Sequence, residues 1–85
     1  MEKIIVAFRS RSDTLGFAEF LKRNKIACRI VNTPKEAQVG CGLSAEVSKT
    51  NLPIVRVALR RFPAKSFAGI FACFYERGRI RIKAV

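Results

Sequence analysis

Apolar and polar positions along this chain repeat with two periods, and the switches between them mark out its elements. From Lys3 to Arg9 the run Ile4, Val6 and Phe8 alternates with Ile5 and Ala7, so apolar character is nearly continuous, as in a strand buried on both faces. Ser10-Arg11-Ser12-Asp13 breaks it; Ser10 with Asp13 three residues later resembles a capping box, with Ser12 as a rival cap, and predicts a helix start. Between Thr14 and Lys25, Leu15, Phe17, Ala18, Phe20 and Leu21 follow a helical face while Glu19, Lys22 and Arg23 mark the wet side. Asn24 and Lys25 end that helix. Ile26 to Val31 returns to a period of two, with Ile26, Cys28 and Ile30 on one face, which makes Cys28 a core thiol.

Asn32-Thr33-Pro34 stops this strand, since proline lacks an amide donor and biases its predecessor toward extended geometry. A loop through Cys41 follows. Leu43, Ala45 and Val47 then alternate with Ser44, Glu46 and Ser48 as a third strand up to Lys49. Thr50-Asn51-Leu52-Pro53 reads as a helix opening with Asn51 as N-cap and proline in the first turn. Leu52, Val55, Leu59 and Phe62 recur at helical spacing, with Arg56, Arg60 and Arg61 on the wet side; the β-branched Ile54, Val55 and Val57 keep a strand as the alternative. After the connector Pro63 to Ser66, Phe67 to Tyr75 suits a fourth strand that contains Cys73, and most of the rings of Phe67, Phe71, Phe74 and Tyr75 are expected in the core. Glu76-Arg77-Gly78 is a turn signal, and Arg79 to Val85 alternates strictly enough for a half-exposed fifth strand closing a hairpin. The expected fold is α+β, a ferredoxin-like βαββαβ sandwich with an additional C-terminal β-strand forming the hairpin. Such a fold leaves function open.

Composition narrows the chemistry. Eighty-five residues provide one modest core, so residues 1–85 are expected to form a single domain. No stretch is long or apolar enough to span a bilayer, and the apolar start ends at Arg9 before a cleavage site, which points to a cytoplasmic protein with no membrane partner. Three widely spaced cysteines argue against a disulfide framework and fit a reducing compartment. With no histidine in the chain, Cys-His and Ser-His pairs cannot be built and a metal site is not expected. No cofactor is expected either, and without an acid–base constellation a carrier or binding protein is favoured over a turnover enzyme. The net charge of +11 attracts polyanions, so RNA or an acidic protein are the partner classes to weigh against a merely solvated surface. Arg77, Arg79, Arg81 and Lys83 form a row that would contact phosphates, or would only protect an edge strand.

Cys41 is the one position that looks built to present a reactive atom. It lies between Gly40 and Gly42, and residues without side chains leave a thiol sterically open and its backbone free to turn. The plain alternative is a tight turn holding a small, inert cysteine.

The run from Phe8 through Glu19 and Leu21-Lys22, with Thr33-Pro34-Lys35-Glu36 and the Gly40-Cys41-Gly42-Leu43 box, resembles a family of small bacterial and archaeal selenium/sulfur carrier-like proteins. The likeness is good over about the first half of the chain, and the basic hairpin after Tyr75 is less typical. Relatives tend to carry Pro-Thr-Pro-Arg where this chain has Asn32-Thr33-Pro34-Lys35, which keeps a cation in place. The resemblance implies that an exposed Cys41 accepts sulfur or selenium as a persulfide or selenosulfide and hands it on between donor and acceptor proteins. On that reading Gly40 and Gly42 keep the thiol accessible, Thr33 and Pro34 fix its loop, and Lys35 supplies positive charge. A basic nucleic-acid-binding or partner-docking module without chemistry is the alternative; oligomeric state is left open.

Overall fold

β1 (Lys3–Phe8), apolar on both faces, is the strand around which everything else is arranged. The computed structural model describes residues 2–37 and 41–85. After β1 come α1 (Arg11–Arg23), β2 (Cys28–Asn32), β3 (Leu43–Val47), α2 (Leu52–Arg61), β4 (Phe67–Glu76) and β5 (Arg79–Ala84), with short 3₁₀ turns at Lys35–Ala37 and Lys49–Asn51. The strands form a sheet in the order β2-β3-β1-β4-β5, and each neighbouring pair runs antiparallel. The protein is therefore α+β. The strand alternative for α2 falls away, because Val55 and Ala58 are buried while Arg56, Arg60 and Arg61 are exposed, a helical period.

The main core lies between the helices and one face of the sheet. Ile4 and Val6 sit opposite Val47 and Ala45 on β3 and opposite Ala72 and Ile70 on β4, so these inward residues form one layer. Against it pack Phe17 and Leu21 of α1, Val55 and Ala58 of α2, and Ile26. Phe8 and Phe17 are fully buried with ring centroids 5.3 Å apart, and burying each such ring contributes about 1.5–3 kcal/mol.

The second face is closed by chain instead of helix. Ile5, Ala7, Ser44 and Cys73 point away from the helices yet are buried. The 3₁₀ turn at Lys35–Ala37 reaches from the β2 side to pack against β5, and a cleft of about 250 Å³ between loop and sheet is lined by Ile5, Val31, Pro34, Cys73, Tyr75 and Ile80. This cover explains why β1 is apolar on both faces.

Local chemistry sets the element ends. Ser10 is the N-cap of α1, its Oγ accepting from the Asp13 N–H at 3.2 Å. The return half of the expected capping box is relayed: the Asp13 carboxylate accepts from Ser66 Oγ at 2.5 Å, and Ser66 Oγ accepts the Ser10 N–H at 3.1 Å. Ser66 thus joins the connector before β4 to the start of α1. At the other end Lys25 takes φ 59°, the Ile26 N–H reaches the Leu21 carbonyl and the Lys25 N–H that of Lys22, a Schellman motif. That motif draws Ile26 out of the strand, so β2 begins at Cys28 and not at the expected Ile26.

Other expectations are corrected. Leu15 is 43% exposed and Thr14 takes its place in the buried stripe Thr14, Phe17, Ala18 and Leu21, at i, i+3, i+4 and i+7. None of the four β4 rings is fully buried: Phe67 and Tyr75 are exposed and Phe71 and Phe74 half-buried. Phe71 and Tyr75 alternate with the inward Ile70 and Ala72 onto the other face, and Phe74, in line with those two, lies past the last β1 pairing, that of Lys3 with Cys73. Asn51 makes no side-chain cap bond; Ser48 caps the preceding 3₁₀ turn instead, accepting from the Thr50 N–H at 3.3 Å.

Candidate functional site

Cys41 lies at the foot of β3, at the end of the sheet where β1 finishes and α1 begins. The pairing of Ala7 with Ser44 and of Asn32 with Leu43 fixes that position. Gly42 has φ 80°, a conformation that disfavours any residue with a Cβ, and a Cβ there would meet nothing within 4 Å. Glycine is needed here for backbone shape and not for room. The Gly42 carbonyl accepts the Thr33 N–H at 2.8 Å, and Thr33 Oγ1 lies 2.6 Å from Ser44 Oγ, so both strand ends are tied beneath the turn.

The sulfur itself turns toward α1. Cys41 Sγ lies 3.4 Å from Thr14 Oγ1 and donates to the Leu43 carbonyl at 3.2 Å. Thr14 Oγ1 also donates to the Ser10 carbonyl at 3.1 Å. Cys41 is half-buried as a result, which corrects the expectation of an exposed thiol: the side chain is held against the first turn of α1. Thr14 and Ser44 are the two fully buried polar residues among those described, and both flank this turn.

The remaining predicted residues divide. Thr33 and Pro34 are half-buried at the base of the loop. Gly40 lies outside the described residues. Lys35 is exposed in the 3₁₀ turn that packs against β5, and among the described residues no hydrogen bond or ion pair joins it to Cys41. Arg9, Arg11 and Lys65 lie in the segments at this end of the sheet, and the 2.8 Å bond from the Arg9 N–H to the Ser66 carbonyl ties the Arg9 and Lys65 segments together.

Arg77, Arg79 and Arg81 line a shallow surface pocket with Glu76, and Lys83 lies farther along β5. β4 starts beside Phe8 and runs away from it, so the hairpin tip is at the opposite end of the strands from Cys41. The fold does not bring the basic row to the thiol.

The other two cysteines are placed differently. Cys28 is half-buried with its Sγ donating to the Ala18 carbonyl at 3.5 Å; burial pushes its thiol up from 9.0, with Lys22 offsetting part of the rise. Cys73 is buried on the loop-covered face, and burial first, then Glu46 and Glu36, push its thiol up. A raised value leaves less thiolate at neutral pH and slows reaction there. No group of three or more His, Cys, Asp or Glu side chains among the described residues is arranged to hold a metal ion. Among those residues no helix is long and apolar enough to cross a membrane.

A family model described as "Putative Se/S carrier protein-like" matches residues 3–66. The chain belongs to that family. The match includes β1, both helices, the Cys41 turn and the Ser66 connector, and stops before β4. It therefore reaches well past the first half, where the motifs lie. No curated protein and no solved structure matches the chain.

Proposed function

We propose that this carrier-like protein uses Cys41 to accept a sulfur or selenium atom and pass it on. The observation that carries the reading is the placement of Cys41 Sγ against Thr14 and Leu43, at the start of α1, inside the segment that matches the family. The positive end of a helix dipole favours negative charge developing on a nearby atom.

The transfer needs no redox cofactor. The Cys41 thiolate attacks the terminal sulfur of a donor persulfide, R–S–SH; the Cys41 S–S bond forms, the donor S–S bond breaks, and the donor leaves as R–S⁻ with the electron pair. Onward transfer reverses the roles: an acceptor nucleophile attacks the terminal sulfur and Cys41 leaves as thiolate. A selenium atom in the terminal position follows the same balance. Gly42 sets the shape of the turn, and Thr33 and Pro34 fix its base. Gly40 is assigned a supporting role through its place beside the thiol and the family resemblance, and Lys35 through the resemblance. Donor and acceptor proteins are the partners this chemistry requires.

The architecture belongs to the same proposal. The β1–α1–β2 and β3–α2–β4 units interleave so that β3 lies between β1 and β2, which supports a ferredoxin-like sandwich with β5 added outside β4. One continuous sheet supports a single domain over residues 1–85.

The test is intact-protein mass after incubation with a cysteine desulfurase and cysteine, followed by peptide mapping. One added sulfur on Cys41, removed by reductant and absent from Cys41→Ser, is the expected result. Equal uptake at Cys28 and Cys73, or none at all, overturns the reading.

A further inference from the structure

We propose that Thr14 is a positioning residue that acts as a switchable hydrogen-bond donor to the Cys41 sulfur, on the reading above that this sulfur carries the transferred atom. Thr14 Oγ1 has one proton and two acceptors within reach, the Ser10 carbonyl at 3.1 Å and Cys41 Sγ at 3.4 Å. While the sulfur is neutral, its S–H donates to the Leu43 carbonyl at 3.2 Å and the threonine proton goes to Ser10. Once the sulfur is an anion, it has nothing to donate and needs a donor. Rotation about the Thr14 Cβ–Oγ1 bond turns the proton from Ser10 to the sulfur without moving a heavy atom.

Three features make the switch inexpensive. The Ser10 carbonyl also accepts the Thr14 N–H at 3.1 Å, so it is not orphaned when the hydroxyl turns away. Thr14 is fully buried, so on the α1 side of the sulfur water has little room to replace it as donor. A donor bond to an ionised group is also roughly twice as strong as one to a neutral group, so the equilibrium follows the charge on sulfur. The position points the same way: in the stripe Thr14, Phe17, Ala18 and Leu21 only Thr14 is polar, where the core alone would take a valine. In the transfer cycle the bond forms as Cys41 attacks, lapses in the persulfide, where the Cys41 sulfur itself carries no charge, and forms again as Cys41 leaves.

The experiment is the pH profile of Cys41 alkylation by iodoacetamide in the full chain, read at the Cys41 peptide, for wild type, Thr14→Val and Thr14→Ser. Thr14→Val is expected to react about tenfold more slowly at pH 7, with rates converging in strong alkali. Thr14→Ser retains the hydroxyl and is expected to track wild type. Superimposed profiles, slowing by the same factor at every pH, or failure of serine to rescue would overturn the proposal. If the valine variant does not fold, Thr14→Ala carries the same comparison. Sulfur loading is measured separately: a wild type that takes up no sulfur while its alkylation profile still depends on Thr14 sinks the carrier reading and leaves the hydrogen bond, whereas loading without a Thr14 effect does the reverse.

Discussion

Two turns of this molecule use the same backbone device and end up with different capabilities. At Cys41-Gly42 and at Arg77-Gly78 a glycine takes a left-handed conformation, with φ 80° and 77°. The first turn is bonded into the protein: its sulfur meets Thr14 of α1, its carbonyl meets Thr33, and Thr33 meets the buried Ser44. The second is a two-residue hairpin loop between Glu76 and Arg79 with both central residues at positive φ, a type I′ geometry, and Arg77 and Gly78 are both exposed. One turn holds a single atom in a set environment; the other displays charge. Tertiary bonding, and not the glycine, separates a candidate site from a connection.

The sharpest way to break this comparison is to load both regions with mutations and read sulfur uptake. Replacing Arg79, Arg81 and Lys83 by alanine is expected to leave uptake on Cys41 intact, while Cys41→Ser removes it entirely. The same triple variant weakens retention on a polyanion column and lowers the salt needed for elution, since each lost cation removes a counterion-releasing contact. Loss of sulfur uptake in the triple variant would mean that the hairpin serves the thiol after all.

Next in size is the base of the first turn. Thr33→Val removes the partner of a fully buried hydroxyl and should destabilise the protein by about 1–3 kcal/mol in urea unfolding. No change would show that Ser44 finds another partner and that the turn is less tied than the bonds imply.

The glycines come third. Gly42→Ala and Gly78→Ala should each cost about 1–2 kcal/mol, because both force a Cβ into the left-handed region. Only the first should also alter the rate at which Cys41 is alkylated. Equal effects on alkylation would erase the distinction between the turns.

The smallest effect is a gain. Arg77 holds φ 52°, where asparagine is far better tolerated, so Arg77→Asn should raise stability by about 0.5–1 kcal/mol, read as a higher Tm. A fall in Tm would reveal a stabilising contact of the Arg77 side chain.

Much of this arrangement could be read from residues near one another in the chain. The apolar run of β1, the helical stripe of α1, the proline-bearing start of α2 and the alternation of β5 each declare their element, because backbone period and capping are local properties. Cys41 was legible as a candidate because its glycine neighbours are adjacent to it. Thr14 left one signal, a polar residue at a helical spacing from Phe17, Ala18 and Leu21, which the competing choice of Leu15 obscured. Ser66 left none: its bonds to Ser10 and Asp13 span more than fifty positions of sequence. The burial of Ser44 and Cys73 was equally hidden, since it depends on a loop crossing the second face of the sheet.

The sequence by itself therefore determined most of the elements, the α+β class, the kinship with a carrier-like family and the thiol to suspect, because these rest on periodicity and on motifs of neighbouring residues. Only the tertiary structure decided that the thiol is half-buried against Thr14, that Lys35 points its turn toward β5, and that the arginine row stands at the far end of the strands. Those facts follow from how the sheet orders its strands and which loop covers it, and packing of that kind brings together residues whose separation along the chain carries no mark of their meeting.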